Sequence, residues 1–114
     1  MRIAEERGSG VVVVAPAGRV DSATSSALEA KLVGHVRSGD TRLVIDLEAV
    51  DYISSAGLRI LLRVANELRP MGGTLVLCAM AESVREVFEL AGFTALFAIE
   101  TSRDRAVARA RAEA

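Results

Sequence analysis

Two short, nearly unbroken apolar runs constrain this chain more than any other feature in it. Arg42-Leu43-Val44-Ile45-Asp46-Leu47 and Thr74-Leu75-Val76-Leu77-Cys78-Ala79 show no sustained polar–apolar alternation. A strand without a polar face is buried on both faces, as in a parallel or mixed sheet covered by helices. The stretch between the runs has a different period. Leu58, Leu61, Leu62, Ala65 and Leu68 recur at helical spacing behind Ser54 or Ser55, either of which suits an N-cap, and Pro70 and Gly72 stop the helix.

The same alternation extends to both sides. Val11 to Ala15 is a β-branched run after a glycine and predicts a strand, continued by Arg19-Val20 past Pro16 and Gly18. Pro16 suggests an edge position or a bulge. Asp21 or Ser22 offers an N-cap to a helix carrying Leu28, Leu32 and Val36, with Ser26 and Glu29 as a capping-box pair and Gly39 as its end. Glu82 to Leu90 reads as a short helix with Val84, Val87, Phe88 and Leu90 inward and Gly92 as its stop. Ala95 to Ile99 reads as a last short strand. Ser102 caps a terminal helix that frays toward its Ala- and Arg-rich end.

Strands and helices in turn predict an α/β fold: a central mixed β-sheet of four to five strands packed by about four helices. A length of 114 residues fits one domain, 1–114, with its core at about 11–108, and 51% hydrophobic content supplies that core.

Charge and composition exclude several functions. The net charge is −1, from 14 basic and 15 acidic residues, so the chain lacks the basic excess of a nucleic-acid binder. Its longest apolar runs, Val11 to Ala17 and Leu75 to Ala81, are far shorter than the roughly 20 residues a bilayer needs, so no membrane insertion is expected. Met1 to Arg7 carries acids and no apolar leader core, and the expected location is cytoplasmic. One cysteine, Cys78, excludes an intramolecular disulfide, and with one histidine, His35, a closed zinc site lacks its usual ligands. Gly-x-Ser-x-Gly, phosphate-loop and Gly-x-Gly-x-x-Gly motifs are absent. His35 reads as a surface or helix-end residue and Cys78 as a small buried hydrophobe. No cofactor and no enzymatic activity are expected.

The segment Asp51-Tyr52-Ile53-Ser54-Ser55-Ala56-Gly57-Leu58 stands out because it sets two hydroxyls at a helix start. Capping alone accounts for one serine. Ala56, Gly57 and Leu58 are uncharged and leave the helix start open to an approaching protein, with Arg59 flanking it about one turn on.

Here the chain resembles the bacterial anti-sigma factor antagonists of the STAS domain family, from about Val11 to about Ala108. The matching stretches are Gly18-Arg19-Val20-Asp21, Leu43-Val44-Ile45-Asp46-Leu47, Tyr52 to Leu61, Gly72 to Cys78 and Val87 to Phe93, in that order. The resemblance implies a partner switch. The unphosphorylated antagonist binds an ATP-using serine kinase that is also an anti-sigma factor, and so frees the sigma factor. The kinase phosphorylates a serine at the start of the second helix, and a metal-dependent serine phosphatase reverses this. The family pattern is Asp-Ser-Ser/Thr-Gly-Leu. Aligned on Gly57-Leu58, the phosphoacceptor falls on Ser55, the Asp on Ser54 and the second Ser/Thr on Ala56.

Ser54 and Ala56 thus depart from the pattern, and Ser54 remains a second candidate acceptor behind Ser55. Asp21 matches the family's loop acid near the acceptor, or is an N-cap. Asp46 matches a strand-end polar position, or serves a turn or hydrogen bond there. The expected partner surface is Asp21, Ser54, Ser55, Ala56, Gly57, Leu58 and Arg59. Two alternatives stay open: a STAS scaffold subunit that uses no phosphate, in a lipid-transport or stress-sensing assembly, and a switch with an output other than a sigma factor. Either a monomer or a weak dimer is compatible with the sequence.

Overall fold

The computed structural model describes residues 1–113. In chain order its elements are β1 (Arg2–Gly8), β2 (Val11–Val20), α1 (Ser25–Arg37), β3 (Arg42–Asp46), β4 (Val50–Ile53), α2 (Ser55–Leu68), β5 (Thr74–Cys78), α3 (Glu82–Leu90), β6 (Ala98–Glu100) and α4 (Arg103–Ala112). The strands lie in the order β1-β2-β3-β5-β6, and β4 pairs with the far end of β2. β1 runs antiparallel to β2, and the other pairings are parallel. The expected mixed α/β sheet is therefore present, enlarged by β1 and β4.

The two apolar runs became β3 and β5, neighbours at the middle of the sheet. Successive side chains along a strand point to opposite faces, and here both faces are covered. Val12, Val14, Leu43, Ile45, Leu75 and Leu77 face a core shared with Leu28 and Leu32 of α1, Leu61, Val64 and Leu68 of α2, and Val84 and Phe88 of α3. Val11, Val13, Val44, Val76 and Cys78 face the other way, against Ala106 and Ala110 of α4. The Cys78 thiol is fully buried, and that burial pushes its pKa up to about 12.

Several local expectations are corrected. β1 was not expected: its sequence, Arg-Ile-Ala-Glu-Glu-Arg-Gly, is mostly charged because it forms an exposed sheet edge. Pro16 is not on an edge, since β2 has β1 on one side and β3 on the other. The registered pairing with β3 runs from Val12 to Val14, that with β4 starts at Gly18, and the register shifts between Gly18 and Arg19. Pro16 stays in register with Ile3 of β1, but on the opposite side of β2 it stands in a gap between the β3 and β4 ladders, where a missing N–H is tolerated.

α1 starts at Ser25 with Thr24 as its cap residue, so Ser26 lies inside the helix and does not head a capping box. Leu90 is 89% exposed, contrary to the inward expectation. At 100° per residue it sits roughly 120° around the helix from Val84, while Phe88 shares Val84's face. The segment Ala95 to Ile99 is not one strand: Thr94–Leu96 forms a 3₁₀ turn, and β6 follows at Ala98–Glu100. Ser102 caps α4 as expected, accepting the Arg105 N–H at 3.2 Å. That helix continues to Ala112, and Glu113 is held by the Arg42 side chain and the Thr74 hydroxyl. The last residue of the expected frayed end, Ala114, lies outside the described residues.

Candidate functional site

Three elements converge where β2 ends. Val20 pairs with Ile53 of β4, and the Ser54 N–H donates to the Val20 carbonyl at 2.8 Å. Strand β4 passes into α2 through the single residue Ser54, which keeps extended backbone angles, φ −93° and ψ 170°. The Ser54 hydroxyl accepts the Gly57 N–H at 3.3 Å and is the N-cap of α2.

Ser55 is the first helical residue, and it is exposed. The two serines therefore differ in commitment: one hydroxyl is engaged in the cap, and the next faces solvent. An α-helix leaves its first N–H groups without intrahelical acceptors and carries partial positive charge at this end. No acidic residue stands in the first turn of α2 to offset that field.

Gly57 is required by close approach. A Cβ built there would lie 2.8 Å from a Val20 methyl carbon and 2.9 Å from an Ile53 side-chain carbon. Leu58 is 2% exposed and belongs to the main core. These two residues were expected on the partner surface. The structure places both beneath it, where they set the height and angle of α2. Ala56 is half-buried and Arg59 is exposed.

Asp21 is held in the loop between β2 and α1. Its carboxylate accepts the backbone N–H groups of Ala23 and Thr24 at 3.0 and 3.1 Å. The Thr24 hydroxyl donates to the Arg19 carbonyl at 2.6 Å and accepts the Asp21 N–H at 3.0 Å. The Thr24 N–H, foremost, holds the Asp21 carboxyl below its ordinary pKa. The N-cap reading of Asp21 is thus met in a modified form: it caps the turn before α1, whose own cap residue Thr24 makes no side-chain cap bond.

Two further exposed residues at this end were missed from the sequence. The Arg19 guanidinium lies 4.1 Å over the ring of Tyr52 and 3.5 Å from Asp21. Arg19 and Tyr52 are direct register partners across β2 and β4. Their signal was therefore tertiary, and without β4 there was no reason to pair them.

Asp46 has a structural task. Its carboxylate accepts the Glu48 N–H at 2.9 Å and Arg103 Nε–H at 2.7 Å, and the residue is 5% exposed. Among the described residues, no group of three or more His, Cys, Asp or Glu side chains is placed to hold a metal ion, and no helix is long and apolar enough to cross a membrane.

A three-layer mixed sheet with a serine pair opening its second helix defines a fold family. The chain belongs to the STAS domain family, whose model matches residues 2–106 and so takes in β1. Over 108 residues it is 44% identical to BtrV of Bordetella bronchiseptica, named an anti-sigma factor antagonist, covering 95% of this chain and 93% of BtrV. The crystal structure of an anti-sigma factor antagonist from Mycobacterium paratuberculosis superposes with a TM-score of 0.88 at 31% identity, over 96% of this chain and 93% of that one. The Bacillus protein SpoIIAA shares the fold in both its unphosphorylated and phosphorylated forms. The TM-scores are 0.75 and 0.73 at 20% and 21% identity, covering 97% and 95% of this chain and 99% and 98% of that one.

Proposed function

We propose that this chain is an anti-sigma factor antagonist, acting in the cytoplasm without enzymatic activity, and that phosphorylation of Ser55 switches off its binding to an anti-sigma factor that is also an ATP-using serine kinase. A metal-dependent serine phosphatase resets it. The single observation that carries this reading is the position of Ser55, exposed at the first residue of α2 while its neighbour Ser54 is committed to the cap. Relatives named anti-sigma factor antagonists support the class. Ser and Asp are both preferred N-caps, so the departure at Ser54 leaves the helix start intact.

A phosphate on Ser55 adds about −1.5 to −2 charges. The N-terminal N–H groups and the helix dipole favour an anion there by about 0.3–1 kcal/mol, so the fold should tolerate it. The effect falls on the partner. A dianion carried into a desolvated contact loses its water, and an unpaired buried charge costs several kcal/mol. A loss of about 3 kcal/mol already weakens binding more than 100-fold.

The test is incubation with the cognate kinase and ATP followed by phosphopeptide mapping. Phosphate is expected on Ser55 and absent from the Ser55→Ala variant. Ser55→Asp is expected to release the kinase while far-UV circular dichroism and Tm barely move. Phosphate at another residue with Ser55 unmodified, or a collapsed Tm in Ser55→Asp, overturns the proposal.

A further inference from the structure

Away from the serine pair, five charged or titratable side chains from three parts of the chain meet at the sheet edge. His35, in the last turn of α1, places its two ring nitrogens against two different carboxylates. Nδ1 lies 3.1 Å from Asp40, in the loop between α1 and β3, and Nε2 is in contact with Glu5 of β1. Each carboxylate also has a permanent cation. Arg7 of β1 grips Asp40 through two bonds of 2.7 and 2.9 Å, and Lys31 of α1 reaches Glu5 at 3.1 Å. Glu6 faces away, toward Arg103. The His35, Glu5 and Asp40 side chains are 18%, 29% and 15% exposed, so the group is partly withdrawn from water.

An imidazole facing two carboxylate acceptors satisfies both only when both nitrogens carry protons. The neutral ring has one N–H and must turn a lone pair toward either Glu5 or Asp40. The carboxylates do not relieve this by taking up a proton. Arg7, foremost, lowers the Asp40 pKa to about 2, and the His35 contact, foremost, lowers that of Glu5. Of the side-chain types gathered here, the imidazole is the one that as a class gains or loses a ring proton near neutral pH.

We propose that His35 is a pH-dependent clasp that fastens edge strand β1 to the end of α1, closed when the imidazole is doubly protonated and loosened when it is neutral. Arg7 and Lys31 keep the strand attached in both states, so the change is local. β1 pairs with β2 alone, so its backbone is where loosening shows.

Because His35 is the only histidine, its ring resonances are assigned by inspection. The experiment measures amide hydrogen exchange of β1 at pH 6 and pH 8.5, corrected for the intrinsic rate, beside an NMR titration of the His35 ring. Protection of β1 is expected to fall several-fold toward pH 8.5, with a midpoint matching the ring titration, while protection in β5 holds. In His35→Gln, and separately in Glu5→Gln, that pH dependence is expected to vanish or shrink. Equal β1 protection at both pH values in the wild type overturns the clasp. So does an unchanged pH dependence in both variants, or a fall in β1 protection that tracks an equal fall in β5.

Discussion

Ser54 and Ser55 carry the same hydroxymethyl group with opposite commitments. Ser54 Oγ accepts the Gly57 N–H, while Ser55 stands exposed one residue on. Ser54→Ala is therefore expected to lower stability by about 1 kcal/mol, the usual cost of losing an N-cap. Ser55→Ala is expected to change it by less than about 0.5 kcal/mol, as at an uncommitted surface position. Urea unfolding midpoints of the two variants check this, and equal losses would contradict the assignment of the cap. The distinction decides which serine can be modified without disturbing α2. The sequence showed that two serines opened a helix and, through the family pattern, ranked Ser55 first. It did not show that Ser54 was already occupied, because that depends on the backbone angle at which β4 hands over to α2.

At the scale of elements, α4 is attached by a small apolar contact and one buried anchor. Its inward residues are Ala106 and Ala110, which bury little area, and Arg103 in its first turn reaches the largely buried Asp46. Arg103→Ala removes that partner and leaves Asp46 with the Glu48 N–H. The expected loss is about 1–2 kcal/mol: a hydrogen bond to a charged group, discounted because Arg103 is 36% exposed. Thermal unfolding measures it, and Arg103→Lys is expected to recover only part, since an ammonium cannot reproduce the guanidinium geometry.

Legibility also divides by element. β3 and β5 announced themselves because burial on both faces leaves no polar positions. β1 was invisible because an edge strand carries charges to discourage pairing with other chains. β4 was invisible because its buried residues, Val50 and Ile53, are three apart and break the two-residue period. The site inherited that gap: the serines lie in a local motif, whereas the stacking of Arg19 on Tyr52 exists only through the β2–β4 register.

Across the whole molecule, charge sets a lower pH limit to the fold. Asp40 is lowered to about 2 chiefly by Arg7, Glu5 is lowered chiefly by His35, and Glu113 chiefly by the Thr74 hydroxyl. A carboxyl whose pKa is lower in the folded chain stabilises the fold above its unfolded pKa, near 4, and that contribution is lost as pH falls through the folded value. Tm is therefore expected to drop between about pH 4 and pH 2, and in Asp40→Asn this drop is expected to be smaller. A scan of Tm against pH for both proteins is the check.

The sheet also provides an internal gauge of opening. The chain has one sulfhydryl, at Cys78, sealed between β3, β6 and α4 with its ionisation suppressed. The thiolate is the form that attacks alkylating reagents, so modification of the folded protein must wait until α4 lifts from this face or the sheet itself comes apart. The rate at which iodoacetamide consumes this sulphur then counts openings of the α4 face and of the sheet, while local motions at β1 or at the mouth of α2 leave no mark on it.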